Sequence, residues 1–145
     1  PEYGVDAYFY RKAKADSKKR GYLETSDEQI AFISSMQAIE PDVMIDYTLR
    51  DLKLLPKFAK FSKDSWRSGD VEAFTSHSLI DQMKEEFPSL YQTLVVKRNK
   101  RWMPTLLRMS RDEAVELVLV GTLHMNGPEG LLQQLERAGY SVEQI

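Results

Sequence analysis

The stretch 115–130 constrains the fold of this 145-residue chain more than any other. Its first part, Val115 to Val120, is almost entirely aliphatic, and Gly121 follows it directly. A short apolar run bounded by glycine is typical of a buried strand. Pro128 then predicts the start of a helix, since proline favours the first helical position. The sequence therefore predicts an α/β arrangement in which His124 lies in the turn between a buried strand and a helix.

The position of His124 points to chemistry at the edge of a sheet. Ligands of open α/β sheets bind beyond the carboxyl ends of the strands, where an imidazole is a candidate metal ligand or general acid/base. The alternative is a turn histidine bonded to nearby backbone groups. The other histidine, His77, lies among serine and threonine residues, and this context favours exposure over ligation. The chain has no cysteine, which excludes disulfides and thiolate chemistry.

The rest of the chain predicts a small sheet and a larger set of helices. Two further short strands are expected near residues 21–24 and 140–144, which with 115–120 makes about three. Helical spacing predicts five or six helices, α+β by proportion, including a long helical hairpin. Pro56 and Pro104 are expected to bend or break their helices. Thr25 and Glu28 form the sequence pattern of a capping box at the start of one helix.

A buried strand with so few neighbours leaves the predicted sheet incomplete. Such a strand needs partners on both sides, and its unpaired edge invites another chain. The sequence also begins without methionine. We therefore expect residues 1–145 to be a single domain that lacks part of its sheet, with the remainder coming from further sequence or from a second copy. A homo-oligomer is the simplest outcome.

The charge balance argues against two classes of partner. The chain has 20 basic and 22 acidic residues, so its net charge of -2 gives no overall attraction to nucleic acid or to an anionic membrane. A basic stretch near residue 20 is explained by a helix C-terminus. No apolar run approaches the roughly 20 residues of a membrane-spanning helix. Neither nucleic-acid binding nor a membrane-spanning segment is expected.

Arg98 is the second unusual position. It lies three residues after Val95 and four before Trp102, which on a helix aims it inwards with the apolar residues. A buried guanidinium needs an anionic partner, although the side chain could instead reach solvent along Trp102. Glu24 lies between a predicted strand end and a helix start. A carboxylate and an imidazole can share a divalent ion or activate water, while arginine holds a carboxylate or an oxyanion.

A set of short motifs follows in order along almost the whole chain. They are Gly4-Val5-Asp6 with Tyr8-Phe9, Leu23-Glu24-Thr25 with Gln29, Trp66 with Gly69-Asp70, Arg98-Asn99 with Trp102, Gly121-x-x-His124 with Gly127 and Gly130-Leu131, and Gly139-Tyr140. The ordered set resembles the C-terminal half of the TraB/GumN family, which includes pheromone-shutdown proteins and Tiki metalloproteases.

The resemblance implies a metal-dependent, peptidase-like hydrolase whose site combines two Gly-x-x-His motifs with a glutamate and an arginine. By position it implies Glu24, His124, Arg98 and Asn99 as catalytic residues, of which His124 and Glu24 also bind the metal. The metal would be manganese, cobalt or zinc in the full-length protein. The first Gly-x-x-His motif is missing from this sequence, so we expect the chain alone to be inactive and to bind no divalent metal tightly.

The resemblance leaves a second interpretation open. A non-enzymatic binding or regulatory protein could use the same cleft to capture a peptide or a polysaccharide precursor. The family also implies a location outside the cytoplasm, in the periplasm or at the cell surface.

Overall fold

The computed structural model describes residues 3–34, 40–71, 73 and 79–145, and this part of the chain is helical. The α-helices are α1 (Val5–Ala15), α2 (Ser26–Ser34), α3 (Pro41–Ser68), α4 (Leu79–Glu86), α5 (Pro88–Tyr91), α6 (Lys97–Met109) and α7 (Leu131–Arg137). A π-helical turn, Gln92–Val96, joins α5 to α6, and a 3₁₀ turn, Thr122–His124, precedes α7.

The predicted α/β fold is wrong, because none of the described residues forms a β-strand. The segment 115–120 does not form the buried strand that its sequence predicts: Val115 is fully exposed and Leu117 is 64% exposed. A strand requires a neighbouring backbone to receive its hydrogen bonds. The described ranges provide no backbone hydrogen bond to residues 115–120. An apolar run favours a strand but cannot make one without that neighbour.

The other two predicted strands are also absent. Residues 21–24 form an irregular connection before α2, and residues 140–144 follow α7 without pairing to a described segment. The side chain of Gln144 instead donates a hydrogen bond to the Gly69 carbonyl oxygen, at 2.9 Å. Gly69 ends α3 with a φ of 69°, a left-handed conformation that favours glycine. The C-terminal residues are therefore attached to the end of α3 and not to a sheet.

The helix start signals are confirmed where local chemistry decides them. In the predicted capping box the Thr25 amide donates to Glu28 Oε2 at 2.8 Å, and the Glu28 amide donates to Thr25 Oγ1 at 3.2 Å. Helices α3 and α5 begin at prolines, Pro41 and Pro88, but the helix start predicted at Pro128 is wrong, because α7 begins at Leu131 and Pro128 lies in a turn. The capping box thus fixes the start of α2 by local contacts alone, whereas proline by itself does not fix the start of α7.

The expected proline breaks are not observed. Helix α3 continues through Pro56, and α6 continues through Pro104. A proline removes one backbone hydrogen bond and strains the preceding turn. In α6 the buried side chains of Met103, directly before Pro104, and Leu106, two residues after it, keep this part of the helix packed in the core.

The core is concentrated in the segment that runs from α5 to α6. One cluster comprises Tyr91, Val95 and Val96, and the second comprises Trp102, Met103, Leu106 and Leu131. The wide π-helical turn changes the register of the helix before α6 begins, and both Val95 and Val96 are buried there. Helix α6 then packs against α7. Among the helices of the described residues, none combines the length and apolarity needed to cross a membrane.

Candidate functional site

The centre of the candidate site is Asn99, a side chain with no solvent exposure in the first turn of α6. Its Nδ2 donates to two backbone carbonyl oxygens, that of Glu129 at 2.7 Å and that of His124 at 3.1 Å. Its Oδ1 lies 2.7 Å from His124 Nδ1. Carbonyl oxygens can only accept hydrogen bonds, so the amide nitrogen must face them. The orientation of the Asn99 side chain is therefore fixed by its partners.

This orientation determines the tautomer of His124. The Asn99 Oδ1 atom can only accept, so His124 Nδ1 must carry the proton that joins them. In a neutral ring the lone pair then lies on Nε2. Within the described residues the ring makes no second hydrogen bond through that atom. Asn99 thus prepares His124 Nε2 to act as a ligand or as a proton acceptor.

The surroundings of the ring keep His124 neutral. The residue is 8% exposed, and its ring centroid lies 4.5 Å from that of Trp102. The pKa of His124 is lowered from 6.5 to about 4, chiefly by burial; the positive charge of Arg98 also lowers it, and the negative charge of Glu24 raises it. The imidazole is therefore uncharged at pH 7, and it lies close enough to Arg98 and Glu24 to respond to both charges.

Arg98 and Glu24 form a two-point ion pair beside the ring. Arg98 Nε donates to Glu24 Oε2 at 3.0 Å, and Nη2 donates to Oε1 at 2.5 Å. The two side chains are only 19% and 10% exposed. The guanidinium also lies 4.9 Å from the centroid of the Trp102 ring. Arg98 thus points inwards and has the anionic partner that its place on the helix predicts; it does not extend freely into solvent.

The Glu24 carboxylate keeps some capacity for another partner. Its Oε1 atom accepts from Arg98 and from Gln29 Nε2, the latter at 3.2 Å, whereas Oε2 accepts from Arg98 alone among the described residues. A carboxylate oxygen has two lone-pair positions. One lone pair of Glu24 Oε2 is therefore left for a further donor or a cation.

The four site residues predicted from the sequence meet at the first turn of α6. Arg98 binds the connection before α2 through Glu24, and Asn99 binds the turn before α7 through His124. Two adjacent residues of α6 thus bind two segments that are distant from each other in the sequence. His77, which we expected to be exposed, lies outside the described residues.

Glu129 is the part of this cluster that the sequence did not single out. Its carbonyl oxygen accepts from Asn99 and from Gln134 Nε2 at 2.9 Å, and its carboxylate accepts from the Tyr91 hydroxyl at 3.0 Å. The following residue, Gly130, leaves no room for a side chain, since an added Cβ would lie 2.4 Å from the Met125 carbonyl oxygen. The short Gly-x-x-Gly spacing around Glu129 was the available signal for such a tight turn.

The described residues do not complete a metal site. They contain no group of three or more histidine, cysteine, aspartate or glutamate side chains placed to hold one ion. His124 Nε2 and Glu24 Oε2 offer two donors, whereas catalytic zinc sites use three protein ligands. The donor set of this part of the chain therefore falls short of a metal centre.

The site defines a helical protein in which a neutral histidine and a paired arginine and glutamate meet on one buried asparagine. A family model described as the TraB/PrgY/gumN family matches residues 1–144. The chain belongs to the TraB/PrgY/gumN family. A search of curated proteins found no match, and a search of solved structures found none either.

Proposed function

We propose that this chain supplies one side of the active site of a metal-dependent, peptidase-like hydrolase. The observation that carries the proposal is the fixed tautomer of His124, whose Nε2 lone pair lies on a neutral ring beside an arginine and a carboxylate. Metal-binding histidines use this arrangement, with one nitrogen held by a hydrogen bond and the other bound to the ion.

Each of the four residues has a distinct task in the proposal. His124 is a metal ligand, and Asn99 positions it. Glu24 is the second ligand or the general base on a water, through the lone pair that Oε2 retains. Arg98 holds a substrate carboxylate or a developing oxyanion. The ligands that complete a site for manganese, cobalt or zinc come from outside the described residues.

A paramagnetic titration tests the role of His124 in the 145-residue chain. Manganese(II) added at increasing concentration should broaden the ring signals of His124 in the proton NMR spectrum before those of His77. Binding should be weak, because two protein donors make an incomplete site. The variant Glu24→Gln should weaken the effect of manganese on the His124 signals, whereas the neighbouring exposed substitution Lys100→Ala should leave it unchanged.

Two outcomes would contradict the proposal. Equal broadening of both histidines would show that His124 has no preference for the metal. A tight, stoichiometric calorimetric isotherm with manganese, cobalt or zinc that survives His124→Gln would show that the metal is held by other residues.

The closed ion pair favours a second candidate, a binding or regulatory protein without catalysis. Arg98 and Glu24 neutralise each other's charge through two hydrogen bonds. Such a pair can stabilise a cleft that binds a peptide or a polysaccharide without taking part in a reaction. In that case manganese would not affect His124 selectively at any concentration. Both candidates are proposed to act outside the cytoplasm.

A further inference from the structure

Helix α3 has two apolar faces, of which only one packs against the described part of the chain. On the inner face the Tyr47 ring meets the Phe87 ring edge-on at 4.9 Å, and Ser65 is buried. The second face, which we call the outer stripe, consists of Ile45, Leu49, Leu52, Leu55 and Ala59. Its four large members are each at least half exposed, and Ala59 is exposed as well.

The spacing of the outer stripe is the same in both directions along the helix. Its members are separated by four, three, three and four residues, and Leu52 is the central one. Steps of three and four are those by which one helix packs along another. Because the order of steps is symmetric about Leu52, an antiparallel copy of the helix presents the same stripe. Ile45 then faces Ala59, Leu49 faces Leu55, and Leu52 faces itself.

The charges at the two ends of the outer stripe also favour an antiparallel copy. Asp42 and Lys60 are 18 residues apart, which is five full turns, so they lie on the same flank of α3. Antiparallel pairing about Leu52 brings Asp42 of one copy to Lys60 of the other. A parallel pair would instead place acidic ends together and basic ends together.

We propose that α3 pairs with α3 of a second copy of this chain, antiparallel and centred on Leu52. The contact buries the outer stripe and joins Asp42 of each chain to Lys60 of the other. Lys60 already contacts Asp64 within its own helix at 2.8 Å, and both side chains are exposed, so exchanging that partner costs little. The inference is independent of the proposed hydrolase site.

Cysteine cross-linking tests the contact directly, because the native sequence contains no cysteine. The variant Leu52→Cys should form a disulfide-linked dimer under mild oxidation, since the two thiols meet on the symmetry axis. Ile45→Cys should not cross-link to itself but should cross-link to Ala59→Cys when the two variants are mixed. The control Leu117→Cys, in the exposed segment 115–120, should remain uncross-linked. Self-linking of Ile45→Cys would show a parallel pair and overturn the proposal.

A charge exchange tests the orientation without a cross-link. Asp42→Lys and Lys60→Asp should each weaken the homodimer in sedimentation equilibrium, because each places like charges opposite each other. An equimolar mixture of the two variants should recover the dimer, since the heterodimer restores both attractive pairs. A mixture that associates no better than the separate variants would contradict the assignment.

The apolar contribution is measured by substituting the central leucine. Leu52→Asp should raise the dissociation constant at least about tenfold, with an unchanged helical circular dichroism spectrum, because two leucines lose their contact. Leu117→Asp should leave it unchanged. A native chain that stays monomeric at about 100 μM would overturn the proposal, as would dissociation caused by Leu117→Asp alone, which would place the contact in the segment 115–120.

Discussion

Leu131 and Leu52 are the same residue type in opposite surroundings. Leu131 lies in the core beside α6 and is 3% exposed, whereas Leu52 lies on the outer stripe of α3 and is 56% exposed. Around Leu131 even polar groups are buried and hydrogen-bonded, as Asn99 and His124 show. Around Leu52 the apolar groups face outwards. The comparison shows that a helical pattern identifies an apolar face, while the neighbouring segments decide whether that face is buried.

The largest expected effect comes from truncating these two leucines. Leu131→Ala should lower the free energy of unfolding by about 3 to 4 kcal/mol, because it removes buried methyl groups and leaves a cavity. Leu52→Ala should change it by less than about 0.5 kcal/mol when measured on the monomer, since an exposed side chain loses little. Urea denaturation at low micromolar concentration measures both.

The comparison between the two regions would fail if the leucine variants had similar effects. A loss of several kcal/mol in Leu52→Ala at a concentration where the chain is monomeric would mean that the outer stripe is covered within one chain. It would then also be unavailable to a second copy.

The second expected effect is a dependence of stability on pH that arises from His124. The pKa of the residue is lowered to about 4 in the folded chain, against 6.5 as its ordinary value. The unfolded chain therefore binds more protons between these two values, so stability rises with pH there and is fully present above about pH 6.5. Acidification from pH 7 to pH 4 should remove roughly 2 to 3 kcal/mol of the free energy of unfolding.

Substitution of His124 isolates this contribution from that of the carboxylates. Across the same pH range His124→Gln should lose less stability than the native chain, and the difference between the two curves should follow the His124 titration seen by NMR. If the two chains lose stability in parallel, the ring is not held neutral by its surroundings and the site is more open than the core around Leu131.

The sequence predicted the placement of Arg98 and the start of α2 better than it predicted the fold. The inward position of Arg98 followed from its spacing with Val95 and Trp102, because helical periodicity is a local property. The capping box of Thr25 and Glu28 was predictable for the same reason. Neither signal required knowledge of a distant segment.

The errors arose where a distant partner decides the structure. The segment 115–120 has the composition of a buried strand, yet its backbone meets no partner in the described part of the chain. The hydrogen bonds of Asn99 were equally unpredictable, because they join positions 25 and 30 residues away along the chain. Periodicity cannot report such contacts, and only the family resemblance drew attention to Asn99.

The smallest expected effect compares two arginines of α6 that differ in burial. Arg98 pairs with Glu24 in partly buried surroundings, whereas Arg101 pairs with Glu28 at the surface, with its own side chain 57% exposed. Both guanidinium groups lie between 5 and 6 Å from the Phe32 ring, at 5.7 and 5.8 Å. Arg98→Gln should cost about 1 to 2 kcal/mol, because it leaves the Glu24 carboxylate without its main partner.

Arg101→Gln should leave the unfolding midpoint within experimental error, since an exposed ion pair exchanges its partner for water at little cost. The double variant Arg98→Gln with Glu24→Gln should recover part of the lost free energy of unfolding, because it also removes the Glu24 charge that Arg98→Gln leaves unpaired. Equal effects of the two single arginine variants in urea denaturation would mean that burial of the Arg98 pair contributes nothing. In that case the ion pair of the site would stabilise the fold no more than the exposed ion pair of Arg101.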